Sequence, residues 1–209
     1  MVWVIFDCYG TLVDWIYSIK SVLLYLTGDW FSLKRFFDCE KQSLAEYRPY
    51  SSILVDCLKH VLRDYGVEYR EEYGESLVSG FAKSPLFPDT IPGLYLLKRR
   101  GFKTAILSNT ERRLISVTLQ GLESYFDEVI TAEDIKAYKP SREAFLRAYR
   151  VLGVEASEVV HVSAYPFYDL VPASKLGAET ILVNRYGYTW SRTASSLEEV
   201  ARLLLEEEN

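Results

Sequence analysis

The chain has 209 residues, 49% hydrophobic and 25% charged, which suits one sizeable core carrying an insertion and excludes a disordered chain. A formal net charge of -5 argues against nucleic acid or an anionic membrane as partner, and polar residues interrupt every apolar stretch before it reaches membrane-span length. The start lacks a basic leader, so no signal peptide is expected. Cys8, Cys39 and Cys57 are odd in number and form no metal-type pair, which favours reduced thiols and a cytoplasmic location.

In chain order, residues 2–6 form an apolar run that ends at Asp7 and is broken by Gly10-Thr11. Residues 14–84 then read as amphipathic helices, among them 21–26, 33–47 and 52–65, with no convincing strand between them. Short apolar runs resume at 103–107, 128–131, 159–163 and 180–184. They alternate with helical patterns at 91–100, 111–122, 141–152, 169–176 and 196–207. That alternation predicts an α/β fold, a Rossmann-like and mainly parallel sheet flanked by helices. The expected division is a core of residues 1–13 and 85–209 with a helical cap of residues 14–84. A cap inserted there would lie over the carboxyl edge of the sheet, where open α/β sheets bind ligands.

Four polar clusters fall at or just after strand ends: Asp7 with Thr11, Ser108-Asn109, Lys139, and Asp169. Parallel strand ends converge on one crevice, so these clusters are candidates for a single site. Cys8 should turn its side chain away from Asp7, because neighbouring strand residues face opposite ways, leaving only its backbone N–H for a substrate. His161 is expected to pack in the core and His60 to lie near the surface. Neither has a metal partner at useful spacing.

Asp7-Cys8-Tyr9-Gly10-Thr11-Leu12, Leu107-Ser108-Asn109, Tyr138-Lys139-Pro140, and Val162-Ser163-Ala164 followed by Asp169 resemble the four motifs of the haloacid dehalogenase superfamily. The helical cap fits the same resemblance. Phosphatases of that superfamily carry a second aspartate two residues after the nucleophile, and here that place is Tyr9. A phenol of pKa near 10 replaces a carboxylic acid poorly as a proton shuttle, whereas a departing halide needs no proton. The chain is therefore most similar to the L-2-haloacid dehalogenase branch. The resemblance implies Asp7 as nucleophile forming an ester, with Lys139 and Asp169 as its catalytic partners. It implies that Cys8 and Tyr9 (through backbone N–H groups), Thr11, Ser108 and Asn109 bind a small anionic substrate.

Some family positions differ. A cap arginine that receives the halide should stand two residues before a Lys-Gln pair. Against Lys41-Gln42 that place is Cys39, and with Ala45-Glu46-Tyr47 as anchor it is Lys41, the candidate substrate-binding cation. Phe145, Ala164 and Pro166 stand where a tyrosine, a serine and an asparagine are expected. No metal or other cofactor is expected, since too few oxygen ligands are left for magnesium. Two alternatives stay open: a magnesium-dependent phosphatase working through an aspartyl phosphate, and a binding protein that has lost catalysis. The sequence also leaves open a homodimer.

Overall fold

The computed structural model describes residues 2–206. Met1 and residues 207–209, including the expected end of the last helix at residue 207, lie outside the described residues. The chain runs β1 (Trp3–Phe6), α1 (Trp15–Thr27), α2 (Ser32–Ser43), α3 (Tyr50–Asp64), α4 (Glu71–Ala82), α5 (Thr90–Arg99), β2 (Lys103–Ser108) and α6 (Arg112–Thr118). It continues through β3 (Glu128–Thr131), α7 (Ala132–Ile135), α8 (Arg142–Leu152), β4 (Val159–Ser163), a π-turn (Pro166–Leu170) and α9 (Val171–Lys175). The last elements are β5 (Glu179–Val183), β6 (Thr193–Ala194) and α10 (Leu197–Glu206).

The strands form one sheet in the order β3-β2-β1-β4-β5-β6, with every pairing parallel. This is the doubly wound arrangement, in which strand order reverses beside β1 and leaves a crevice at the carboxyl ends of β1 and β4. Both faces of the sheet are covered, so β1 is apolar throughout instead of alternating. Val4 and Phe6 join a core shared with α5, α10 and α1–α4, while Ile5 packs on the opposite side with α8 and α9.

Four helices, α1–α4, fill the segment between β1 and α5. Asp14 caps α1 by accepting the Tyr17 N–H at 3.0 Å, and Gly28 ends it in the left-handed conformation. The chain leaves and re-enters the sheet layer side by side: Asp14 N–H donates to the Pro85 carbonyl and Phe87 N–H to that of Leu12. α4 is absent from the sequence expectation; Gly74 and Gly80 interrupt its pattern, and its buried face is carried by Leu77, Phe81 and Ala82. The helix expected at 169–176 begins instead as the π-turn, and that expected at 111–122 ends at Thr118.

The expectation of three reduced thiols is corrected too. Cys39 of α2 and Cys57 of α3 are disulfide-bonded, leaving only Cys8 as a free thiol. An odd cysteine count requires one unpaired residue, not three.

Candidate active site

Asp7 leaves β1 at the centre of the carboxyl edge and is 5% exposed. Its Oδ2 accepts the Thr11 hydroxyl at 2.8 Å and its Oδ1 accepts Lys139 Nζ at 2.9 Å. Lys139 is 2% exposed and spends all three ammonium donors: on Asp7, on the Leu107 carbonyl at 2.8 Å, and on Asp169 Oδ1 at 2.7 Å. Asp169 is wholly buried; Oδ1 also meets His161 Nε2 at 3.0 Å, and Oδ2 accepts the Ser163 hydroxyl at 3.0 Å. Lys139 thus lies between two carboxylates drawn from β1 and from the turn after β4.

Electrostatics follow from that sandwich. Burial raises the Asp7 carboxyl, while Lys139 and Thr11 pull it back. Burial alone would raise Asp169 too, but Lys139 and His161 outweigh it and hold that carboxyl below its usual range. Burial works against the Lys139 ammonium, and the two carboxylates more than offset it, so the lysine stays charged. Each charge is compensated by a hydrogen-bonded partner, as buried charge requires.

The other expected residues divide by what they touch. Ser108 lines the cavity above Asp7, and its buried hydroxyl has no partner in the protein. Asn109 also lines the cavity, but its amide is engaged by the Lys139 backbone: Nδ2 donates to the carbonyl at 2.9 Å and Oδ1 accepts the N–H at 2.8 Å. It therefore holds the loop that carries Lys139. Thr11, expected to bind substrate, is fully buried and does not line the cavity. Its hydroxyl accepts the Ala164 N–H at 2.9 Å while donating to Asp7, so it fixes the carboxylate's orientation. Cys8 packs with Val4 and Phe6 in the core, and burial pushes its thiol well up. The ring of Tyr9 lines the cavity, stacked 4.0 Å from that of Phe81, while its hydroxyl pairs with Thr118 at 2.6 Å. That phenol is turned away from Asp7 and cannot shuttle its protons.

Two contributors escape a reading of the sequence. The π-turn inserts a residue between β4 and Asp169, so Ser163, one position before Ala164, is the serine that bonds Asp169. His161, expected only to pack, bonds the same carboxylate and also lies 5.4 Å from the Phe145 ring. A strand-alternation argument could have placed His161 on the Asp169 side, since Ser163 is two residues on.

The cavity above Asp7 encloses about 710 Å³ between the sheet edge and α1–α4. Trp15, Phe37, Leu44, Tyr50 and Phe81 make its upper wall largely apolar. Glu40 is the buried acid in that wall, while Lys41 lines the cavity from an exposed position on the last turn of α2. Cys39 is turned to α3 by its disulfide and does not line the cavity.

A magnesium site is a poor fit. Both oxygens of Asp7 and both of Asp169 are already bonded, the ammonium occupies the space between them, and Ala164 offers no carboxylate. No group of three or more His, Cys, Asp or Glu among the described residues could hold a metal ion. Among the same residues, no helix is long and apolar enough to cross a membrane.

Residues 1–164 match the family described as haloacid dehalogenase-like hydrolase. The chain is 29% identical over 193 residues to (S)-2-haloacid dehalogenase 4A of Burkholderia cepacia, covering 88% of this chain and 83% of that one. It is 28% identical over 217 residues to (S)-2-haloacid dehalogenase 1 of Pseudomonas sp. (strain CBS-3), covering 96% and 95%. The L-2-haloacid dehalogenase of Xanthobacter autotrophicus, solved with chloropropionic acid covalently bound, shares the fold at a TM-score of 0.87 and 21% identity, over 98% of this chain and 99% of that one.

Proposed function

The chain belongs to the haloacid dehalogenase-like hydrolase family, and from that premise we propose that it displaces halide from a small 2-haloacid through an ester on Asp7. The observation that carries this reading is the buried Asp7–Lys139–Asp169 chain at the floor of the cavity, with Tyr9 where an oxygen leaving group would need an acid. An oxygen of Asp7 attacks C2 in line, and the carbon–halogen electron pair departs as halide. Water then adds to the Asp7 carbonyl carbon and releases the 2-hydroxy acid, regenerating the carboxylate; one proton goes to solvent. Lys139 keeps Asp7 ionised and oriented, and Asp169 keeps Lys139 in place. The free hydroxyl of Ser108 suits the substrate carboxylate as a donor, and Lys41 adds positive charge at the rim.

On this reading residues 14–84 act as a cap over a core of 1–13 and 85–209, and the chemistry needs neither metal nor other cofactor. The (S)-2-haloacid dehalogenases it resembles support the choice of substrate class and of hand at C2.

The test is halide release from both enantiomers of 2-chloropropionate, beside a phosphomonoester panel with and without magnesium. Single turnover in ¹⁸O-water with enzyme in excess should label Asp7 and leave the product hydroxyl unlabelled. Label appearing first in the product would remove the ester. Magnesium-dependent phosphate release without halide release would replace the reading with a phosphatase.

A further inference from the structure

An in-line displacement expels its leaving group on the side away from the attacking oxygen. Asp7 forms the floor of the cavity, so a departing group must move toward the wall built by α1–α4. That wall is mostly aromatic and aliphatic, and of its three charged residues, Asp38, Glu40 and Lys41, Glu40 is the buried one. Glu40 is 8% exposed and lies one helical position from Cys39, whose disulfide to Cys57 fastens α2 against α3. Its Oε1 accepts the Tyr50 hydroxyl at 3.1 Å, so a proton on the carboxyl belongs on Oε2. The neighbouring cation, Lys41, is exposed, and a charge in water acts weakly on a group inside the cavity.

Resting on the haloacid reading above, we propose that Glu40 is the residue that receives the leaving group, its neutral carboxyl donating a hydrogen bond to the departing halide and its carboxylate form repelling it. No proton moves in this step: the Asp7 oxygen gains the bond to C2, the halide takes the electron pair, and Glu40 keeps its hydrogen. The acid thereby selects for a halide only while it is neutral, where a guanidinium would do so at every pH.

The surroundings decide when that is. Burial lifts the Glu40 carboxyl to about 7, against the Tyr50 hydrogen bond that pulls it down. The groups facing it from packed elements are Tyr50 of α3, Tyr138 before Lys139, and Tyr168 of the π-turn. All three are phenols that burial holds above their ordinary value, so they stay neutral where Glu40 titrates. Asp38 and Lys41 of α2 and the Asp7–Lys139–Asp169 floor complete the charged lining.

Bromide, the product of a bromoacid, is a probe that needs no turnover. Its binding is read by calorimetry, and by the fluorescence change that depends on Trp15, with Trp15→Phe as the control. The intact protein should bind bromide roughly tenfold or more weakly at about pH 8.5 than at about pH 6. Glu40→Gln, neutral throughout, should bind it with no such pH dependence. Tyr50→Phe, which removes the hydrogen bond favouring the carboxylate, should move the fall to higher pH. Bromide affinity that is flat with pH, or a fall that persists unshifted in both variants, overturns the assignment. So does failure of the intact protein to bind bromide at all. Halide release from haloacids is scored separately: release with pH-independent bromide binding removes Glu40 alone, and pH-dependent binding without release removes the haloacid reading.

Discussion

At Asp7 three forces act on one carboxyl: burial opposes its charge, Lys139 supports it, and Thr11 fixes its plane. Asp7→Asn keeps the shape but cannot attack carbon, so turnover should fall by at least ~10³-fold with a native circular dichroism spectrum. Retained turnover would move the nucleophile elsewhere. Lys139→Met is a different test, because it leaves Asp7 and Asp169 buried without their shared cation. The Asp7 carboxyl must then rise further. Catalysis needs it ionised, so the acid limb of the pH–rate profile should shift to higher pH, and an unshifted limb would uncouple the two residues. Stability should fall by about 3–5 kcal/mol, the usual cost of stranding buried charge. Asp7, Lys139 and Asp169 were legible in the sequence because each follows a strand end, where the parallel sheet gathers them. Ser163 was not, because a fixed count back from Asp169 misses the residue taken up by the π-turn. Glu40 was not either: two registers offered Cys39 or Lys41, and only helix phase decides that the residue between them is the buried one in the cavity wall, with Lys41 at its exposed edge.

Among elements, the strands were the most legible, since β1, β2, β3 and β4 are short apolar runs with few rivals in the sequence. β6 has two residues and leaves no periodic signal. The pairing of Cys39 with Cys57 depends on α2 and α3 lying side by side, which periodicity cannot supply. That disulfide spans a sequence separation of 18, and a loop of that size corresponds to about 3 kcal/mol on the chain-entropy model. The double variant Cys39→Ser/Cys57→Ser should therefore unfold at a clearly lower urea midpoint than the oxidised parent. Reduction of the parent with dithiothreitol should reproduce the shift, and no change in either case would show that α2 and α3 gain nothing from the link. Gly10 marks the tightest junction between elements. It has φ +95°, and an added Cβ would collide with the Tyr165 ring and hydroxyl. Gly10→Ala should displace the Asp7–Thr11 loop and lower both stability and turnover, measured on the same preparation.

On the scale of the whole molecule, the sheet and α1–α4 share one continuous apolar core, yet the cavity separates them where the chemistry would occur. Polar ties cross that gap at its edges. Trp15 Nε1 donates to the Tyr165 hydroxyl at 3.0 Å, Tyr138 donates to the Arg48 carbonyl at 2.7 Å, and the Ser51 N–H donates to the Glu111 carboxylate. If residues 14–84 open to admit substrate, the paired crossings at Asp14–Pro85 and Leu12–Phe87 form the hinge, and the ties at Arg48 and Ser51 must break each time. Tyr138→Phe removes one of them while keeping the ring that lies 5.7 Å from Tyr47. One neutral hydrogen bond is worth about 0.5–1.5 kcal/mol, enough to make opening roughly 2- to 13-fold more frequent by the same arithmetic that links free energy to populations. Amides near Arg48–Ser51 should then exchange with deuterium faster by that factor, while those of β1 and β4 keep the parent's rates. Uniformly faster exchange would mean general destabilisation, and unchanged exchange at Ser51 would mean that this edge of the cavity does not open.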